Sequence, residues 1–236
     1  MEQPAFHAFS AQHLIAIGLI GCLCVVVAHV ARRISLSLRK WLGRFLGFLL
    51  LSCAAVLYFQ EAAGHALSWQ DSLPLELCNV VLISCIIALF RPNQLIIEIT
   101  YFLGLGGVLQ ATLTPDLSRG FPSWDFILFF WSHGGTLISI IFLIAAREFR
   151  PRSRSILRMM IALNGYALVV GTLDAVFGWN YGYLCRKPWR ASLLDYLGPW
   201  PWYLLSLELV SSLIFLLLCL PWEIRRGRAA GPSNAA

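Results

Sequence analysis

The chain has 236 residues, 58% of them hydrophobic and 13% charged, with a formal net charge of +6. Soluble domains carry about 25% charged residues, so this chain has too little charge to cover a water-facing surface, whereas a lipid-facing surface needs none. The positive balance does not point to nucleic acid, because the basic residues fall between apolar stretches, where they set membrane topology.

Apolar stretches of spanning length recur from end to end, as a hydrocarbon core of about 30 Å requires. They fall at 13–31, 41–62, 73–90, 95–113, 124–146, 156–178 and 199–221. The predicted fold class is an all-α membrane protein, a seven-transmembrane-helix bundle forming a single polytopic domain over 1–226. A tail of small and polar residues, 227–236, is expected to be disordered. The first stretch reads as a span and not as a cleaved leader, because Met1 to Gln12 lacks positive charge and the basic cluster follows the apolar run. The third and fourth stretches are divided by Arg91-Pro92-Asn93-Gln94, which is turn chemistry. With seven spans, all of the 18 basic residues except Arg119, Arg186, Lys187 and Arg190 fall on one side. The positive-inside rule makes that side cytoplasmic, with the N-terminus outside and the C-terminus in the cytoplasm.

Of the seven cysteines only Cys185 lies in a loop, which is not a disulfide framework. Cys22 and Cys24 are two apart on a helix and point in different directions, so a metal pair is not expected. Neither metal nor cofactor is predicted.

Polar groups at membrane depth are expensive and are therefore functional candidates. Glu61 and His65 close the second span, Glu76 and Asn79 open the third, and Gln110 precedes Thr114-Pro115-Asp116 at the end of the fourth. His133 stands about ten residues into the fifth span, Asp174 near the end of the sixth and Glu208 about nine residues into the seventh. These belong to the outer half, and only Glu98 and Asn164 to the inner. Glu61, His65, Asp174 and Glu98 are close enough to helix ends to read as interfacial. Glu76 and Asn79, three apart, share a helix face, and a His near a Glu suits proton transfer, so Glu76 and His133 are the leading candidates. The competing reading is hydrogen-bonded glue between helices. Cys78 and Cys185 are the cysteines that could serve His133 as nucleophile. No phosphate-cradling loop, zinc-protease helix or G-x-S-x-G elbow is present. In the loop before the last span, Asn180, Tyr181, Arg186 and Lys187 stand among interfacial aromatics, and the basic pair could hold a phosphate or carboxylate headgroup.

Leu73-Pro74-Leu75-Glu76-Leu77-Cys78-Asn79 resembles the L-P-L-H-L-C signature of the bacterial YwaF-like integral membrane family. So do Leu109 to Asp116, Ser132-His133-Gly134, the Asn180-Tyr181 to Arg186-Lys187-Pro188 loop, and Gly198-Pro199-Trp200-Pro201-Trp202-Tyr203, all in the expected order. The family is distantly similar to the transmembrane protein 164 group, and this implies a multi-pass protein of a bacterial plasma membrane and a membrane-bound phospholipid acyltransferase activity. That group's Cys-His pair falls on Leu75 and Glu76 here. The resemblance therefore implies either Cys78 as substitute nucleophile or direct transfer with His133 as base.

Three functions are compatible with the sequence. The first is a lipid-modifying enzyme, by acyl transfer or hydrolysis, with an extracytoplasmic-facing polar site. Here His133, Glu76 and Cys78 are catalytic, and Asn79, Gln110, Asn180, Tyr181, Arg186 and Lys187 bind substrate. The second is a transporter or small-ligand binder using Glu76 and His133. The third is a structural or regulatory membrane subunit. Membrane lipids are the expected partners, and the sequence specifies no oligomeric state.

Overall fold

The computed structural model describes residues 4–64, 73–147, 149, 151–188 and 193–229. Among these residues regular structure is helical, apart from a single antiparallel bridge between Ala5 and Arg119. The chain divides into two compact units, residues 1–149 and 150–236.

The first unit contains α1 (Ala11–Arg33), α2 (Leu36–Gly64), α3 (Leu77–Phe90), α4 (Gln94–Leu113) and α5 (Trp124–Arg147). Helix α2 starts five residues before the predicted stretch, so Arg39, Lys40 and Arg44 lie in the helix and not in a loop. Their aliphatic stems are good helix formers, and the Ser35 hydroxyl accepts from the Leu38 N–H at 3.4 Å. Arg39 donates to the carbonyls of Arg32 (3.2 Å) and Ala146 (3.4 Å), which clamps the start of α2 to the ends of α1 and α5. The break between α3 and α4 comes where the turn chemistry placed it. Asn93 caps α4 by accepting from the Ile96 N–H at 2.9 Å.

Helix α3 differs from the predicted span. It has 14 residues, about 21 Å at helical rise, and residues 73–76 form turns around Pro74 ahead of it. Among the described residues six helices are long and apolar enough to cross a membrane, and α3 is apolar but shorter. Helix α4 is α-helical to Leu103, makes one π turn over Gly104–Val108, and resumes as α-helix over Leu109–Leu113.

Helix α5 is the hub and packs on α1, α2, α3 and α4. A Cβ added at Gly134 would lie 2.6 Å from Ile20 Cδ1 of α1, and one at Gly104 of α4 would lie 2.3 Å from Ile140 Cδ1 of α5. Glycine at these positions lets the helices approach closely, as small residues do in membrane bundles. Ahead of α1, Phe6 packs with Phe126 and Phe130 of α5. The Phe6 N–H donates to Ser118 O (3.1 Å), and the Gly120 N–H donates to Pro4 O (2.8 Å). The N-terminal segment is thereby laced to the loop between α4 and α5.

The second unit contains α6 (Ser153–Phe177) and α7 (Trp202–Ala229), joined by a loop with short 3₁₀ turns at Tyr181–Tyr183 and Leu193–Leu197. Helix α6 ends on Gly178 at φ +74°, the left-handed conformation glycine adopts without a Cβ penalty. The predicted start of α7 at 199 is corrected to Trp202, since Pro199 and Pro201 lack the N–H that a helix interior needs. The helix runs to Ala229, so residues 227–229 are helical and not part of a disordered tail. Residues 230–236 lie outside the described residues, as does His65.

Candidate functional site

In the first unit the C-terminal end of α2, the start of α3, the start of α5 and the loop before α5 surround a cavity of about 280 Å³. Its walls are mainly apolar, with Leu57, Leu82, Ile83 and Leu128 among them, and its polar groups include Asn79, Asp125, Ser132 and His133. A second chamber of about 20 Å³ is lined by Cys78, Asn79, Leu82, Val108, Ser132, His133 and Thr136. Asn79, Leu82, Ser132 and His133 line both spaces, so the two adjoin.

His133 is held in one orientation. Its ring stacks on Phe129, one helical turn earlier, at 4.0 Å between centroids and 17° between planes. Nδ1 lies 3.0 Å from the Phe129 carbonyl oxygen, and a carbonyl only accepts, so Nδ1 carries the proton in the neutral ring. The Ser132 hydroxyl donates to the same carbonyl at 3.0 Å and lies 3.1 Å from Nδ1. Nε2 is left with its lone pair and makes no hydrogen bond among the described residues. The ring sits about 14 Å along α5 from its start, near mid-depth of a hydrocarbon core. A His whose Nδ1–H is anchored on a backbone carbonyl and whose Nε2 faces a cavity is poised to accept a proton.

The structure brings together His133, Cys78 and Asn79 of the sequence-derived candidates, and it leaves two others elsewhere. Glu76 is exposed at the N-cap of α3, where its carbonyl accepts from Asn79 and Val80, and its side chain makes no cap bond. It is not among the residues lining either cavity, and it does not share a helix face with Asn79, because the helix begins after it. Gln110 is also exposed, and its amide donates to Thr114 Oγ1 at 2.9 Å. The π turn adds one residue to a turn of α4, so face assignments counted at 3.6 residues per turn fail beyond Gly104. The same turn brings Val108 to the small chamber.

Asn180, Tyr181, Arg186 and Lys187 belong to the second unit. The Asn180 side chain accepts from the Cys185 N–H (3.2 Å) and the Arg186 N–H (2.9 Å) and donates to Arg186 O (2.9 Å), which makes it a loop organiser. Tyr181 is buried, and its N–H donates to Asp174 Oδ1 at 3.0 Å. Lys187 lies 3.7 Å from Asp195 and 5.6 Å from the centroid of the buried Tyr203 ring. Arg186 is exposed.

Three other polar residues bear on the sequence reading. Glu98 is fully buried against the protein in the second turn of α4, accepting from Gln94 at 2.8 Å. Asn164 does not sit apart from Glu208 in the other half of the membrane; its amide donates to Glu208 Oε1 at 2.6 Å. Asp174 is buried, through its bond to the Tyr181 N–H. Sequence reasoning also passed over His13, which is fully buried. It accepts from the Phe9 N–H at Nδ1 (2.9 Å) and donates from Nε2 to Thr112 O (3.0 Å). Thr136, one turn beyond Ser132 on α5, was legible as a neighbour of His133 only once the face of α5 was known.

Residues 8–219 match the sequence model of the TMEM164 family. No curated protein and no solved structure matches the chain.

Proposed function

The chain belongs to the TMEM164 family, and from that membership we propose that this multi-pass membrane protein is an enzyme that acts on acyl esters of membrane lipids. One observation carries the reading. A base with a fixed tautomer, His133, a thiol, Cys78, and an amide, Asn79, line one chamber beside a cavity with apolar walls. The apolar cavity suits an acyl chain. His133 Nε2 suits removal of a proton from the attacking group, either the Cys78 thiol or an acceptor oxygen. The Asn79 amide suits the charge that develops on the carbonyl oxygen. Helix α4 stays helical through its π turn, whereas transporter sites are built on discontinuous helices, and this favours the enzyme over a transporter.

In this reading the chain crosses seven times, with α3 as the short crossing. The cavity end of the first unit, where Arg119 pairs with Asp125 at 2.7 Å, faces the extracytoplasmic side. The opposite end, with Arg32, Arg39 and Arg91, faces the cytoplasm. The exposed Arg186 is a headgroup contact in this reading.

The test compares the lipid profiles of cells expressing wild type, His133→Ala and Cys78→Ala at equal protein levels. His133→Ala is expected to lower turnover by about 100-fold or more, as loss of a general base does. Cys78→Ala separates the two routes, since a thioacyl intermediate needs the thiol and direct transfer does not. Identical acyl-chain profiles in cells with wild type, with His133→Ala and without the protein would overturn the proposal.

A further inference from the structure

The small chamber carries more than its place beside His133. Thr136 is 1% exposed. Among the described residues, its hydroxyl, the Asn79 amide and His133 Nε2 make no hydrogen bond to one another or to other protein groups, and the Cys78 sulfur meets its own backbone N–H. Three polar groups without a protein partner thus line one space, beside the Cys78 sulfur. Buried polar groups are paired as a rule, and a buried one left unpaired costs about 1–3 kcal/mol. The space is about 20 Å³, above the roughly 10–15 Å³ that one water needs and far below what an acyl group occupies. A buried water takes 2–4 polar partners, and this chamber offers that number.

We infer that the chamber between Cys78, Asn79, Thr136 and His133 binds a single water, and that this water is the acceptor for the acyl group, which makes the reaction hydrolysis of a lipid carboxylic ester. The inference rests on the acyl-ester reading above and names its acceptor. His133 Nε2 takes a proton from the water as its oxygen bonds to the ester carbonyl carbon. The carbon–oxygen ester bond then breaks, and His133 returns the proton to the departing alkoxide. One carboxylic acid and one lysolipid hydroxyl result, and no further co-reactant is needed. Thr136 is a positioning residue here, acting through the water it holds.

The experiment uses the full chain in proteoliposomes made from the host membrane's total lipid extract, in buffer prepared with H₂¹⁸O. Released fatty acid carrying ¹⁸O, together with lysolipid, is expected for wild type and should fall by about 100-fold in His133→Ala. Thr136→Val keeps the shape and removes one partner of the water, and it should slow acid release by about tenfold. Acyl chains exchanged between lipids without ¹⁸O-labelled acid would overturn the water acceptor and leave the acyl-ester reading standing. Lipids identical with wild type and with His133→Ala would overturn both. The wild-type isotope measurement decides the matter even if a variant fails to fold.

Discussion

Two histidines in the first unit show how tautomer separates a structural role from a chemical one. His13 accepts at Nδ1 from the Phe9 N–H and donates from Nε2 to Thr112 O, so both nitrogens are used and the ring is fully buried. His133 uses only Nδ1, on the Phe129 carbonyl, and keeps Nε2 for the cavity. Replacing His13 leaves a backbone donor and a buried carbonyl without partners. His13→Ala is therefore expected to destabilise the protein by about 2–6 kcal/mol, at about 1–3 kcal/mol per stranded group, measured by thermal unfolding in detergent. His133 makes a single hydrogen-bonded anchor and a ring stack, so His133→Ala should cost less stability while removing turnover. A larger loss of melting temperature for His133→Ala than for His13→Ala would contradict this division. Glu76 illustrates what residue-level reading missed. A glutamate three residues before an asparagine shares its face only if both are helical, and Glu76 is the cap.

At the level of elements, α4 and α5 meet where glycine permits it. A side chain at Gly104 would begin 2.3 Å from Ile140 Cδ1, so Gly104→Val should overpack the α4–α5 contact. The expected loss is about 1–3 kcal/mol, again as a lower melting temperature. Because the π turn that begins at Gly104 also places Val108 at the small chamber, the same variant should slow turnover. Unchanged stability in Gly104→Val would show that Ile140 can move aside at no cost. The start of α4 depends on Asn93, whose side chain satisfies the Ile96 N–H. Asn93→Ala removes that cap at a cost of about 1 kcal/mol, whereas Asn93→Asp should retain it. The turn between α3 and α4 was legible because Pro92 lacks an N–H and Asn93 is a preferred cap. The π turn was not, since Gly-Leu-Gly-Gly-Val is compatible with an ordinary helix and only packing on α5 selects the extra residue.

For the whole molecule, the N-terminal segment binds the loop before α5, and the cavity opens at that same end of the first unit. The segment from Pro4 to Phe6 and the cavity mouth therefore share one end of the first unit. Orientation is tested by single cysteines in an otherwise cysteine-free chain, probed in intact cells with a membrane-impermeant thiol reagent. Asp116→Cys, between α4 and α5, is expected to label from outside. Arg91→Cys, between α3 and α4, is expected to label only after the membrane is opened. The reverse pattern would invert the proposed topology.

The all-helical membrane class was legible in sequence alone, because spanning length and apolarity are one-dimensional quantities that a bilayer reads directly, and six helices among the described residues have both. The adjacency of Ser132 and His133 on one turn of α5 was also visible there. What lies opposite them was decided only by tertiary structure. Cys78 and Asn79 reach His133 through the packing of α3 on α5. Glu76 is left outside by a helix that starts one residue later. Which polar groups keep a free partner depends on contacts across helices, and no periodicity in a single segment encodes those.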